Sequence, residues 1–208
     1  MQQVNCFGLK SNSVFSQTYI MKTIKFYITL LLFLGLWSVQ AQVKNIEGID
    51  FPEKLSISGA ELEFNGGGLR EKLGFLDLYV GALYLPQKSR DADKIILGDT
   101  PMAIRIVIAS GLVTRDRFIE ALEEGFDNTS VGKYSPRDIQ SFKEFLSDAF
   151  EPNDEILLSY RPEKGTILSK NGQVRGSFTG LPFKQALFAI WLGDKPAQNS
   201  LKQQMLGL

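Results

Sequence analysis

The stretch Gly66-Gly67-Gly68-Leu69-Arg70-Glu71-Lys72-Leu73-Gly74-Phe75-Leu76-Asp77-Leu78-Tyr79-Val80-Gly81-Ala82-Leu83-Tyr84-Leu85-Pro86 decides the fold. It opens on three glycines, where a backbone without a Cβ turns freely. After Arg70 it becomes an apolar run that Pro86 stops. Period-two alternation puts Phe75, Tyr79, Leu83 and Leu85 on one face of a strand and Leu76, Leu78, Val80, Ala82 and Tyr84 on the other. Both faces are largely apolar, so the strand belongs inside a sheet covered above and below. The turn from Asn65 to Gly68 is expected to deliver the chain into it.

Working outward, Val43 to Pro52 reads as a lead-in, and Lys54 to Ile57 and Glu61 to Phe64 as short strands around Ser58-Gly59. Gln87 to Asp93 reads as polar linker, and Met102 to Ala109 as a strand with Ile104, Ile106 and Ile108 on one face and Arg105 and Val107 on the other. Thr114 is a good N-cap and Asp116 suits a helix start. Phe118, Leu122 and Phe126 then recur at helical spacing, with Ile119 beside them. A second helix starts at Ser135 with Pro136 at its first position and Asp138 three after the cap. Ile139, Phe142, Phe145, Leu146 and Phe150 lie along it until Pro152, and the two helices are expected side by side. Strands at Glu155 to Tyr160, Thr166 to Ser169 and Gln173 to Phe178 follow, with Asn171-Gly172 as a hairpin turn. A third helix begins near Pro182, with Phe183, Ala186, Leu187, Ile190 and Trp191 as its apolar face, and a short one spans Leu201 to Met205. Strands, two helices, a meander and then helices make an α+β protein rather than a βαβ alternation.

The N-terminus carries a targeting pattern. From Met21, two lysines (Lys22, Lys25) precede an apolar run, Phe26 to Val39, and Val39-Gln40-Ala41 has the small residues of a cleavage site. A run of roughly 14 apolar residues is shorter than the ~20 that span a bilayer. Residues 1–20 therefore read as a leader, either non-native through a misassigned start or disordered, 21–41 as a signal peptide cleaved near Ala41, and 42–208 as one domain, exported to a periplasm or secreted. No integral membrane segment is expected in the mature chain. The only cysteine, Cys6, leaves with the leader, so the core holds without disulfides.

All 23 acidic residues follow Ala41, whereas three of the 23 basic ones (Lys10, Lys22, Lys25) precede it, so the mature chain is mildly acidic. That excludes the basic footprint of a nucleic-acid binder. The chain has no histidine, which removes the usual zinc, copper and haem ligand sets and every hydrolase mechanism built on a histidine base. No metal and no cofactor is expected. The glycine run lacks the third glycine of a dinucleotide loop and the Gly-Lys-Ser/Thr of a phosphate loop, and it precedes a strand.

Arg70 and Tyr79 are the pair to single out. A guanidinium is a rigid fork suited to a carboxylate or enolate oxygen, and a hydroxyl in the middle of an apolar strand needs a partner. Read from spacing alone, two alternatives stand: a ligand site, or a surface ion pair beside an ordinary core tyrosine. Arg105 is a further candidate anion ligand, with an exposed strand position as its alternative. Asp116, Glu120 and Glu124 share a helix face as paired carboxylates would, or simply solvate it.

Three segments together resemble the bacterial chalcone isomerase-like proteins. They are Gly-Gly-Gly-Leu-Arg-Glu-Lys before Leu-Tyr-Val-Gly-Ala-Leu-Tyr-Leu, Arg-Phe-Ile-Glu-Ala-Leu-Glu-Glu-Gly on the first helix, and Ala-Leu-Phe-Ala-Ile-Trp-Leu-Gly-Asp-Lys-Pro near the end. The resemblance implies the chalcone isomerase fold, an open-faced β-sandwich with a large antiparallel sheet covered by helices and a small three-stranded sheet. Arg70 matches the arginine of the plant isomerases. Where those enzymes carry a strand threonine, a helix tyrosine and an asparagine, this chain offers Tyr79, then Arg117 or Phe118, then Glu124 or Gly125. An arginine with a strand tyrosine instead resembles the fatty-acid-binding branch. The resemblance thus implies a non-enzymatic binder of a fatty acid or similar amphipathic acid, held by Arg70 and Tyr79, with Phe118 and Leu122 beside the tail. Its alternatives are an isomerase (intramolecular lyase) of a phenolic or enone substrate using Arg70, and a structural or interaction protein with a closed cleft.

Overall fold

The computed structural model describes residues 42–72 and 76–208; the expectations placed on residues 1–41 and on Phe75 lie outside them. In chain order the elements are β1 (Val43–Ile46), β2 (Ile49–Pro52), β3 (Lys54–Ile57), β4 (Ala60–Lys72), β5 (Leu76–Leu85), α1 (Ala92–Leu97), β6 (Met102–Ile108), α2 (Arg115–Asn128), α3 (Pro136–Phe145), β7 (Glu155–Arg161), β8 (Gly165–Lys170), β9 (Gln173–Phe178), α4 (Leu181–Leu192) and α5 (Asn199–Met205). β3 to β9 form one seven-stranded antiparallel sheet whose spatial order is the chain order. The separate small sheet has two strands, β1 and β2, and not the expected three.

β5 is covered on both sides, which is why its sequence is apolar on both. Tyr79, Leu83 and Leu85 join the core beneath the helices, with Phe118, Leu122, Ile190 and Trp191. Val80, Ala82 and Tyr84 join a second cluster with Phe51, Ile57 and Leu62, closed by the β1–β2 hairpin. That hairpin replaces the expected lead-in; its turn uses Glu47 and Gly48, both at positive φ.

The glycine run is not a turn. Gly66, Gly67 and Gly68 lie within β4, opposite Leu83, Ala82 and Gly81 of β5, and β4 runs through the turn expected at Asn65 to Gly68. Gly66 and Gly68, with Gly81 on β5, answer to a close approach by α5, whereas Gly67 faces Ile46 of the β1–β2 hairpin. A Cβ at Gly66 would strike the Gln204 carbonyl oxygen, one at Gly68 the Gln204 side chain, and one at Gly81 would come 2.6 Å from Met205 Cε. A β-bulge just before them, where pairing steps from Phe64↔Tyr84 to Gly66↔Leu83, leaves Asn65 as the extra residue. Its amide donates to the carbonyls of Ser89 (2.9 Å) and Met205 (2.8 Å) and accepts from the Ser89 N–H (2.8 Å). One side chain therefore ties the sheet to the segment after β5 and to α5.

The helix starts follow their caps. Thr114 accepts from the Arg117 N–H at the head of α2, and Ser135 with Asp138 forms a capping box on α3. α3 ends at Phe145, before the Phe150 to Pro152 stop expected. The Arg115 guanidinium takes the place of further helical turns, donating to the carbonyls of Leu146 and Lys143 (both 2.8 Å) and satisfying acceptors that a helix end leaves open. Leu146 and Phe150 remain buried. α2 and α3 do lie side by side, joined by Phe126 against Phe142 and by Lys143 with Glu123 (2.7 Å).

The expected linker from Gln87 gives way to α1, which Asp91 caps by accepting from the Lys94 N–H (2.9 Å). The other end of α1 is closed from across the core. Lys184, fully buried on α4, donates to the carbonyls of Ile95 (2.8 Å), Ile96 (2.9 Å) and Gly98 (2.7 Å). Burial pushes its ammonium down to about 8, and the Asp99 carboxylate opposes that shift. Asp99 itself accepts from the Tyr160 hydroxyl at 2.6 Å.

Two substitutions test this packing by urea denaturation of the full chain. Gly66→Ala should lose about 1–3 kcal/mol, the usual cost of overpacking, because backbone in α5 must move. Lys184→Met keeps the bulk but strands two buried carbonyls and a third partly buried one, and should lose about 1–3 kcal/mol. A midpoint equal to wild type in either variant would contradict the corresponding contact.

Candidate functional site

The register of β4 and β5 pairs Arg70 directly with Tyr79, so both side chains leave the same face of the sheet. The guanidinium carbon lies 5.5 Å from the centroid of the Tyr79 ring, within cation–π range. Immediately beyond, pairing steps to Glu71↔Asp77 and leaves Leu78 as the extra residue of a second bulge. Leu78 packs with the helix-side core, on the same side as Tyr79 and against the alternation expected for it. Two bulges in one strand pair thus re-aim two residues, Asn65 toward α5 and Leu78 toward the site.

The helices complete the surroundings. Phe118 on α2 meets Tyr79 edge-on (6.2 Å between centroids) and Phe150 in the same way (5.2 Å), and Leu122 follows one turn later. On α4, the indole N–H of Trp191 donates to the Tyr79 hydroxyl at 2.8 Å within the core. Tyr79 is only 3% exposed. Trp191 reads from the sequence as one member of an apolar helix face; the signal that distinguishes it is that a buried indole N–H needs an acceptor.

A cleft of about 800 Å³ opens beside the pair, of the size that small-molecule sites occupy. Leu78, Val113, Phe118, Ala121 and Ala197 give it apolar walls, and Glu71, Arg117, Glu120 and Glu124 bring charge to its lining. Arg70 and Tyr79 line both this cleft and a void of about 10 Å³ shared with Leu122, Ile190 and Trp191. That void has room for about one water-sized group. Gln198 accepts from the Glu71 N–H at 2.9 Å and so fixes the segment bearing Ala197 against the β4 edge. Among the described side chains no carboxylate bridges Arg70.

Burial raises the Tyr79 phenol, while the Arg70 charge and the Trp191 N–H draw it partway back. The net shift is upward, so at neutral pH the residue is an uncharged hydroxyl and not a phenolate base.

Arg70, Tyr79, Phe118 and Leu122 are brought together. Arg105 is not: it pairs with Ala82 and Leu157 on the opposite face. There its guanidinium lies over Phe51 (4.6 Å) and donates to Glu155 (2.8 Å) and to the Asp50 carbonyl (2.9 Å). Its fork is used inside the protein, and its side chain is 16% exposed, so the exposed-position alternative does not describe it either. Asp116 is solvated and pairs with Arg115 (2.7 Å), while Glu120 and Glu124 line the cleft. Among the described residues no group of acidic, histidine or cysteine side chains could hold a metal, and no helix is long and apolar enough to cross a membrane.

A family model described as chalcone isomerase-like matches residues 43–207. Among solved structures, the crystal structure of a fatty-acid binding protein from Arabidopsis thaliana is similar in fold. Its TM-score is 0.63 at 19% sequence identity, over 80% of this chain and 96% of that one. No curated protein sequence matches the chain.

Absorbance titration of wild type against Tyr79→Phe should show Tyr79 ionising above the ordinary tyrosine value of 10.0. Arg70→Met, which removes the charge that opposes burial, should move it higher still. Since the folded value is raised, the stability it contributes is complete below the unfolded value and declines as pH rises through the folded one. Ionisation at or below the ordinary value would contradict the buried geometry.

Proposed function

Because this chain belongs to the chalcone isomerase-like family, we propose that it is a non-enzymatic binder of a fatty acid or similar small amphipathic carboxylate. The observation that carries the reading is the direct cross-strand pairing of Arg70 with Tyr79 at an open cleft. A guanidinium fork and a neutral phenol donor together suit a carboxylate. Leu78, Val113 and Phe118 offer apolar surface to a tail. The fold likeness to a protein described as binding fatty acids supports the same direction.

The isomerase alternative has less to draw on. Of the positions that the resemblance aligns with the enzymes' tyrosine and asparagine, Phe118 has no hydroxyl and packs between Tyr79 and Phe150. At Gly125 a Cβ would come 2.6 Å from Ile190 Cγ2, so the position has no space for an amide side chain. Tyr79, held neutral, is unsuited to act as a base. The alternative positions, Arg117 and Glu124, do line the cleft, so Arg70 and Arg117 are the groups left to stabilise a developing oxyanion. The open cleft weighs against a purely structural role. From the basic and apolar segments after Met21 we further propose that residues 21–41 direct export to a periplasm or the exterior and are removed.

Native mass spectrometry of the full chain expressed in an exporting bacterial host tests both proposals. The expected species begins at Gln42 and carries a bound acid, and Arg70→Ala should lose that acid or hold it about 10- to 100-fold more weakly, as expected for a charge-assisted bond. Acid retained equally by the variant would sink the assignment of Arg70, and protein free of ligand in both samples would sink the tight-binder reading. An uncleaved mass would sink the export proposal.

A further inference from the structure

A tyrosine hydroxyl can donate one hydrogen bond and accept others, so by itself it does not discriminate between head groups that accept and head groups that donate. An indole N–H can only donate. In this protein the Trp191 N–H, 2.8 Å from the Tyr79 oxygen, occupies an acceptor position of that hydroxyl. Trp191 has little freedom to turn away, since it is 2% exposed and its neighbours Phe188, Ile190 and Leu192 on α4 are all buried. The Arg70 cation lies over the same ring and offers a second positive group to the oxygen. Neither neighbour accepts the phenolic proton, and among the described residues no other group is hydrogen-bonded to it as acceptor. The void beside Arg70, Tyr79 and Trp191 has room for about one oxygen.

Resting on the carboxylate-binding reading above, we propose that Trp191 is the positioning residue that sets head-group specificity, by fixing the Tyr79 hydroxyl as a donor toward the ligand. An atom entering the void then meets N–H groups of Arg70 and the O–H of Tyr79, all donors. A carboxylate oxygen satisfies them. An alcohol oxygen also accepts from them, but its own proton, like the N–H of an amide, finds no acceptor among these groups, which carries the cost of an unmade buried hydrogen bond. Trp191 need not touch the ligand to do this; it acts through the orientation of one O–H bond.

The test uses the full chain, with dodecanoate and 1-dodecanol as probes, in a cycle of wild type, Trp191→Phe, Tyr79→Phe and the double variant. Phenylalanine keeps most of the indole's packing and removes its N–H. The expected result by calorimetry is that Trp191→Phe weakens dodecanoate about five- to tenfold and narrows its advantage over dodecanol. In the Tyr79→Phe background the same substitution should change dodecanoate affinity less than about twofold, because the hydroxyl it orients is gone. A merely structural role for Trp191 would give equal losses in both backgrounds, and that result overturns the inference while leaving carboxylate binding intact. Wild-type protein that fails to bind dodecanoate at all overturns the underlying reading and this inference with it. Independently of any ligand, the indole N–H resonance of Trp191 should move upfield in Tyr79→Phe; an unmoved resonance overturns the proposed contact directly.

Discussion

α5 lies so close to β4 that side chains are not tolerated where the two meet, and much of the molecule follows from that contact. Gly66 and Gly68 leave room for the α5 backbone and the Gln204 side chain, while Gly81 leaves room for Met205. With the helix seated there, Asn65 can bond to the Met205 carbonyl and Gln198 can bond to the Glu71 N–H. Those bonds set the course of the segment returning from α4, and Ala197 on that segment lines the cleft. The cleft thus owes part of its lining to an absence of side chains on the strand beneath α5.

The site itself is a polar pair placed where the fold can least tolerate an unsatisfied one. Tyr79 sits in an otherwise apolar layer, and its hydroxyl is engaged by a helix on the far side of the core. Arg70 reaches the same ring from the neighbouring strand. Sheet register and helix packing are independent constraints, and both converge on a single phenol. Such a group is held in place by over-determination more than by any one bond.

Elements whose signals are local were legible in the sequence. Thr114 and the Ser135 with Asp138 box start their helices where expected, and Asn171-Gly172 turns β8 into β9, with both residues at positive φ. The two-sided burial of β5 was equally readable, because alternation of apolar residues is itself a statement about what lies above and below. The glycine run misled because a turn and a close approach both call for a missing Cβ, and only the position of α5, more than a hundred residues on, tells them apart. Lys184 was invisible for a similar reason: nothing near it in sequence reveals that three carbonyls at the C-terminal end of α1 and its cap await it. At the site, Arg70 and Tyr79 stood out by chemical type, whereas their direct pairing required the register, and Trp191 was hidden among apolar neighbours. Arg105 shows the reverse case, a charged strand residue whose conspicuous chemistry is spent on Glu155 and Phe51.

The sheet's sequential strand order has a consequence for how the chain reaches this state. β3 to β5 and β7 to β9 are successive hairpins, the kind of local closure that is fast, whereas β6 joins β5 across α1 and β7 across α2 and α3. The seat of α5 on β4 is the opposite, a contact spanning 140 residues between Asn65 and Met205. A chain still being synthesised can therefore form its hairpins while the glycine trough stays open and the cleft lacks a wall. The complete lining of the cleft would arrive in one late step, set by the docking of the final helix and separate in time from formation of the sheet.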